Sequence, residues 1–349
     1  MRIAIVSDAW RPQINGVVRT IEAVVRLLQA EGDQIEVFGP DRFRTVPCPT
    51  YPEIRLSLFA AARLAHMLTL FAPEAIHIVT EGPLGWAARG FCLRHGIPFT
   101  TAYHTRFPEY VHARMRLPLA WSHALLRRFH APSSGVLVVA RSIREELAAR
   151  GFRKLLPWSR GVDIAAFRPQ PREELEDARP VWLYAGRLAV EKNIEAFLDI
   201  DLPGTKWVVG TGPQQRELER RHRDVRFFGA VDSTELAYRY AQADCFVFPS
   251  RTDTFGLVMV EALASGVPVA AYPVPGPLDV VTSSKVGALD DDLRAACLAA
   301  IGCAAEDCRA HAETFTWAEC ARQFRDALQP ISRTAWQALT ERAVLDATC

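Results

Sequence analysis

Residues 245–272 read CFVFPSRTDTFGLVMVEALASGVPVAAY. Two short apolar runs, CFVF at 245–248 and VPVAAY at 267–272, bracket a segment with helical spacing. The spacing predicts a helix from near Phe255–Gly256 to about Ser265. Gly266 then suits the left-handed C-cap position, and Pro268 cannot continue the helix. A strand, a helix and a second strand in so short a span imply a parallel sheet with helices on its faces.

The same alternation extends in both directions. In the first half, strands are expected at 2–6, 34–38, 75–79, 97–101 and 135–139, with amphipathic segments such as Val18–Ala30 and Leu84–His95 between them. In the second half they are expected at 181–185, 206–210, 225–228, 245–248 and 267–272, separated by helical segments such as Gln214–Arg221 and Leu236–Ala243. That is about five strands in each half. The polar stretch Arg160–Pro180, with Pro169, Pro171 and Pro180, reads as a linker. The expected architecture is α/β, with two Rossmann-like domains at 1–160 and 161–329 and a cleft between them. Ligands in such folds bind beyond the carboxyl ends of the strands.

Bulk properties agree. A chain of 349 residues exceeds one ordinary core. Its 49% hydrophobic and 23% charged content is that of a soluble globular protein. No apolar run approaches the roughly 18 residues needed to span a bilayer. The opening MRIAIVSDAW reads as a buried strand and not as a signal peptide, so a cytoplasmic location is expected. The 8 cysteines are scattered without a C-x-x-C pair and read as reduced packing residues. Cys303, Cys308 and His311 are loosely spaced like metal ligands, but they lack a second matching pair and fall on a helical pattern.

The net charge of +1 hides an asymmetry. Residues 1–160 hold 21 Arg and Lys against 12 Asp and Glu, and the remainder 20 against 28. One half is basic and the other acidic.

Within the opening stretch, Asp253 stands at a strand's carboxyl end and Glu261 lies eight residues later, on a face otherwise filled by Leu257, Val258, Val260 and Leu263. A carboxylate there needs a partner. The two hydroxyls of a ribose would serve Glu261. Asp253, with the backbone N–H groups of Thr254, Phe255, Gly256 and Leu257, would face an anionic or hydroxyl-rich ligand. Alternatively, Asp253 caps the helix and Glu261 pairs with an arginine. Spacing alone leaves both readings open.

In YAGRLAVEKNIEAFL (184–198), Arg187 and Lys192 follow a strand and precede a helix, an arrangement suited to a diphosphate. It is not a Walker A motif. The alternative is a solvated turn with Arg187 paired to Glu191. In VVGTGPQQREL (208–218), Gly210 and Gly212 permit close backbone approach, though they also fit an ordinary tight turn. Asn15–Gly16 opens an amphipathic helix, and Tyr103–His104 ends the expected strand 97–101.

Together, Asn15–Gly16, Tyr103–His104, Arg187 with Lys192, Gly210-x-Gly212 and the pair Asp253 and Glu261 resemble the retaining glycosyltransferases of family 4. The resemblance runs from residue 2 to about 285. It implies a GT-B fold, with a nucleotide-sugar donor in the C-terminal domain and an acceptor in the N-terminal one. By the resemblance, Arg187 and Lys192 bind the diphosphate, Glu261 holds the ribose, and Asp253 with the backbone of 254–257 contacts sugar hydroxyls. Gly16 brings its N–H to the phosphates, and His104 sits near the reacting sugar. The resemblance also implies retention of configuration without a metal or other cofactor, and a C-terminal helix at about 330–349 that crosses back onto the first domain. One departure is Asp253, where the family usually has Glu. The D-x-D match at Asp199-Ile200-Asp201 is of a common kind and falls in an expected loop.

Between Tyr110 and Arg144 there is no acidic residue, while Arg114, Arg116, Arg127, Arg128, Arg141 and Arg144 accompany Trp121, Leu117, Leu119, Leu125, Leu126 and Phe129. Leu56–Phe71 is apolar with a few basic positions. Such composition suits an anionic membrane surface, and equally core helices with solvated arginines. The expected function is hexose transfer from a UDP- or GDP-sugar to a hydroxyl of a membrane lipid such as diacylglycerol or a lipid-linked glycan. The enzyme would then attach peripherally to the inner face of the cytoplasmic membrane. A soluble or polysaccharide acceptor is the alternative. A sugar-nucleotide epimerase, a phosphorylase or a non-catalytic sugar-nucleotide-binding module are the readings from other classes. No nucleic-acid-binding signature accompanies the basic charge. The arginine-rich, lysine-poor composition hints at a GC-rich bacterial genome.

Overall fold

The computed structural model describes residues 1–13, 15–48, 51–104, 118–332 and 335–336. Arg114, Arg116 and Leu117 of the basic segment, and most of the expected 330–349 helix, lie outside the described residues. The chain divides into two compact units. The first is Met1–Ser159 with the chain from Ala318 onward; the second is Arg160–Trp317.

The first unit holds β1 (Arg2–Val6), β2 (Gln34–Phe38), β3 (Thr45–Cys48), β4 (Tyr51–Ser57), β5 (Ala75–Ile78), β6 (Thr100–Tyr103), β7 (Gly135–Val138) and β8 (Leu155–Pro157). Six of these form a parallel sheet in the order β2-β1-β5-β6-β7-β8. Ile3, Ala4, Ile5 and Val6 are all fully buried, as a strand covered on both faces requires. β6 starts at Thr100 and not at the expected Ile97. The reason is local: Ile97 N–H still caps the preceding helix by donating to Cys92, and Pro98 has no N–H for a ladder.

Two further elements depart from expectation. β3 and β4 form an antiparallel hairpin, so the apolar run 56–71 is not one segment. Its first residues finish β4, Phe59 turns the chain at φ 50°, and the helix Ala60–Phe71 follows. The three-residue strand β8 brings the sheet to six strands instead of five.

The second unit holds β9 (Val181–Ala185), β10 (Thr205–Val209), β11 (Arg226–Phe227), β12 (Cys245–Phe248), β13 (Val269–Ala271) and β14 (Gly287–Leu289). All pair in parallel, in the order β11-β10-β9-β12-β13-β14. Strand order therefore reverses between β9 and β12, and the loops leaving these strands open a crevice there. Arg160–Pro180 is not a free linker. Asp244 accepts hydrogen bonds from Arg179 and from Val181 N–H, both at 2.8 Å, and also pairs with Arg172. Gln242 bonds both Pro171 and Glu173. The segment is sewn along the start of β12.

The return to the first unit begins at Ala318, ahead of the expected boundary at 329. The helix Trp317–Ala327 buries Cys320, Ala321 and Phe324. Phe324 packs edge-on against His77 at 4.8 Å and against Trp158 at 5.6 Å, and Trp158 donates its indole N–H to the Cys320 carbonyl at 3.0 Å. Arg325 bonds Glu31 and Asp33. These contacts belong to the first unit's core, which is why the helix leaves the second. No helix among the described residues is long and apolar enough to cross a membrane.

His77, on β5, is fully buried with Nδ1 against the Thr100 hydroxyl at 2.8 Å. Burial lowers its pKa from 6.5 to about 3. The unfolded chain therefore binds a proton below pH 6.5 that the folded one refuses, so stability falls as pH drops. Between pH 6.5 and pH 5 this single group should cost roughly 2 kcal/mol. His77→Gln should flatten that limb of a melting-temperature-against-pH curve. An unchanged slope would assign the acid sensitivity to other groups.

Candidate active site

Two loops of the second unit leave neighbouring strands. β9 ends at Ala185, and Arg187 follows after Gly186. The chain then makes a single 3-10 turn at Val190–Lys192 and reverses at Asn193, whose φ is 52°. From β12 the chain runs through Pro249–Thr254 to Gly256, which precedes the helix Leu257–Ala264 at φ 85°. The loops are stitched together: Asn193 Nδ2 donates to the Pro249 carbonyl at 3.1 Å, and the Thr252 hydroxyl donates to the Glu191 carbonyl at 3.0 Å.

The stitching places Lys192 Nζ on Asp253 Oδ1 at 2.5 Å. Both side chains are largely buried, at 22% and 17% exposure. Asp253 Oδ2 is buried and has no hydrogen-bond partner among the described residues. A carboxylate oxygen so placed is under-satisfied and suits a hydroxyl donor from a ligand. Asp253 does not cap the helix, because Gly256 holds the N-cap position with no side-chain hydrogen bond.

Glu261 lies within that helix and is buried. The Tyr240 hydroxyl donates to Glu261 Oε2 at 3.4 Å. Tyr240 is itself fully buried, its ring against Phe167 and Phe246 at centroid distances of 5.8 and 5.5 Å. Phe255 is buried against Phe315, while Thr254, Gly256 and Leu257 are partly exposed at the helix mouth.

Tyr184 supports the other half. Its hydroxyl donates to the Arg187 carbonyl at 2.8 Å, under the loop that carries both cations. Burial, the dominant influence, raises its pKa, with Lys192 pulling down and Asp253 pushing up. The phenol therefore stays protonated and donates. Neither tyrosine was signalled by a motif. The available hint was that a buried phenol needs a polar partner.

Gly210 and Gly212 have a clear packing role. A Cβ at Gly210 would overlap the Gly186 carbonyl, and one at Gly212 the Leu188 carbonyl. Backbone bonds from Gly186 to Val209, Leu188 to Thr211 and Gln214 to Leu188 lock these turns together. The close approach seen here is to the Arg187 loop. Gly276, missed in the sequence, plays a similar part with φ 95°, its Cα side 3.1 Å from the Asp253 carbonyl if a Cβ were added.

In the first unit, Asn15 caps the helix Gly16–Ala30 by accepting from Val17 and Val18 N–H, both at 3.0 Å. His104 follows β6, is buried, and sits edge-on to Trp158 at 5.3 Å. Tyr103 is buried, its ring near those of His130 at 6.3 Å and Phe152 at 6.4 Å. Asp8, also missed, follows β1 and accepts from Leu84 N–H, Gly85 N–H and the Thr80 hydroxyl. Burial raises its pKa, against these three hydrogen bonds. Among the described residues no group of three or more His, Cys, Asp or Glu is placed to hold a metal ion. His311 bonds the Val280 carbonyl, and Cys308 is buried.

A lysine and an acid with an unsatisfied oxygen thus meet at the strand-order reversal of a parallel sheet, on a pair of loops that also carries Arg187. Residues 14–166 match Glycosyltransferase Family 4, and residues 179–307 match Glycosyl transferases group 1. A GDP-mannose-dependent alpha-mannosyltransferase of Mycobacterium tuberculosis is 30% identical over 83% of this chain and 83% of its own. The chain belongs to glycosyltransferase family 4. An alpha-monoglucosyldiacylglycerol synthase of Streptococcus pneumoniae is 27% identical over 86% of this chain and 78% of its own. Among solved structures, Anabaena HepE in complex with UDP superposes with a TM-score of 0.69 at 16% identity, over 93% of this chain and 99% of that one. This family 4 glycosyltransferase therefore has the GT-B fold and uses a nucleotide-sugar donor.

Tyr184→Phe deletes only the hydroxyl that holds the Arg187 carbonyl. It should lower stability by about 1 kcal/mol and weaken nucleoside diphosphate binding several-fold in calorimetry. Wild-type affinity in the variant would show that the loop is held without that bond.

Proposed function

We propose that this glycosyltransferase moves a hexose from a UDP- or GDP-hexose to a hydroxyl of a membrane lipid, with retention and without a metal. The observation that carries the donor half is the Lys192–Asp253 contact, on the loop that also carries Arg187, with Asp253 Oδ2 unsatisfied. Arg187 and Lys192 supply the positive charge that a departing nucleoside diphosphate needs as its leaving-group bond breaks. Preorganised cations stabilise such developing charge at no reorganisation cost. Asp253 accepts a sugar hydroxyl on its unsatisfied oxygen. Glu261, held by Tyr240, accepts from the ribose.

For retention, the acceptor hydroxyl attacks C1 from the face the diphosphate is leaving. Its proton passes to a phosphate oxygen of the leaving group, while the C1–O bond electrons go to the diphosphate. No second carboxylate is assigned as a covalent nucleophile.

The acceptor half rests on relatives and on surface chemistry. The Streptococcus pneumoniae relative is named for a diacylglycerol product. The first unit exposes Phe59 at 96%, Trp121 at 75% and Leu70 at 73%, with Leu58 and Leu125 also exposed. Aromatic and aliphatic side chains among arginines suit the interface of an anionic bilayer. We therefore place the acceptor site at the carboxyl ends of the first unit's strands, and the enzyme peripherally on the inner face of the cytoplasmic membrane.

The test is a panel of UDP- and GDP-hexoses without added metal, read by thermal shift and donor hydrolysis. One donor should stabilise the protein and turn over, and anionic liposomes containing diacylglycerol should accelerate it. No shift with any donor would defeat the donor assignment. Turnover that only a soluble glycan accelerates would replace the lipid acceptor. Glu261→Ala should raise the donor Kd about tenfold, the worth of a charged hydrogen bond. Lys192→Ala should lower kcat by about two to three orders of magnitude with a smaller effect on Kd.

A further inference from the structure

We propose that Asp253 competes with the diphosphate for Lys192, and so makes the site prefer a nucleotide sugar over the nucleoside diphosphate product. The proposal rests on the diphosphate reading of Arg187 and Lys192 given above.

Lys192 is paired with an anion of the protein itself. Nζ lies on Asp253 Oδ1 at 2.5 Å, in a place where both side chains are mostly buried. The two loops are held side by side, since the hydroxyl of Thr252, the residue before Asp253, donates to the carbonyl of Glu191, the residue before Lys192. A diphosphate drawn to Lys192 therefore meets a carboxylate already there. Two anions sharing one ammonium in a half-buried site repel each other, and a carboxylate there that loses its cation needs another partner.

A nucleotide sugar brings that partner. Its hexose hydroxyls can donate to Asp253, whose Oδ2 has none among the described residues. A nucleoside diphosphate brings phosphate charge and no hexose. When it binds, Asp253 loses Lys192 and gains nothing. After transfer, when the hexose has left with the acceptor, Asp253 reclaims Lys192 and weakens the hold on the product. The same residue that reads the sugar thereby helps release what the sugar leaves behind.

The experiment measures nucleoside diphosphate affinity by calorimetry in the full chain, with product inhibition as the kinetic counterpart. Asp253→Asn and Asp253→Ala should both bind the product about tenfold more tightly than wild type while losing transfer activity. Alanine excludes the explanation that a new amide donor grips the phosphate. Asp253→Glu, which keeps the charge, should restore weak product binding. In a Lys192→Met background the gain from Asp253→Ala should vanish, because the competition is for that ammonium. Persistence of the gain without Lys192 would reduce it to general charge repulsion and overturn the proposal. Unchanged or weaker product binding in Asp253→Ala would overturn it directly. If the wild-type chain binds no nucleoside diphosphate at all, the diphosphate reading itself falls, and the competition with it.

Discussion

The pairing of β9 with β12 is the constraint from which the donor site follows. Register sets Cys245 opposite Trp182 and Phe246 opposite Leu183, so the two strands end together although some sixty residues separate their loops. Because the strands are parallel, both loops leave on the same edge. Because strand order reverses between them, neither loop is covered by the crossover helix of the other. The loop of Arg187 and Lys192 and the loop of Asp253 could have been brought together in many ways. Here a sheet does it, and Asn193, Thr252 and the glycines at 210 and 212 only lock the result. The conformation at Gly210, with φ 129° and a carbonyl where a Cβ would be, shows how closely the turns are pressed.

The arrangement concentrates charge where water is scarce. A lysine and an aspartate at such low exposure gain more from each other than a surface pair does, and also stand to lose more if either is left alone. Buried phenols extend the same logic outward. Tyr184 spends its hydroxyl on a backbone carbonyl and Tyr240 on a carboxylate, so each orients a charged neighbour without adding charge. Neutral donors are the suitable supports here, since further cations would compete with Arg187 and Lys192 for the ligand.

Much of the fold was legible in the sequence because buried parallel strands are written as uninterrupted apolar runs. IAIV at 3–6 and VWLYA at 181–185 admit few other readings. What escaped was written weakly. β8 and β14 are three residues long, and β3 carries Pro47. The end of the second domain was misplaced because the helix at 317–327 has an ordinary amphipathic pattern, and amphipathicity does not say which core a helix will join. That is decided by Phe324 fitting between His77 and Trp158, a contact between residues more than 150 positions apart. In the site, charged residues after strand ends stood out, whereas Tyr184, Tyr240 and Asp8 were hidden inside apolar or helical patterns that periodicity reads as core.

The first unit shows why a residue at a strand's end is an ambiguous signal. Tyr103 is the last residue of β6 and His104 the first beyond it, and their side chains meet different neighbours. Tyr103 enters the core against Phe152, and His104 comes to rest on Trp158. Trp158 is in turn fixed by the Cys320 carbonyl of the returning helix. The surroundings of His104 are thus built from three distant pieces of chain: the end of β6, the last residues before the second unit, and the first turns after it. The returning helix is therefore part of what positions His104, and a chain ending before Ala318 would leave the Trp158 indole without its acceptor and His104 resting on an unsupported ring.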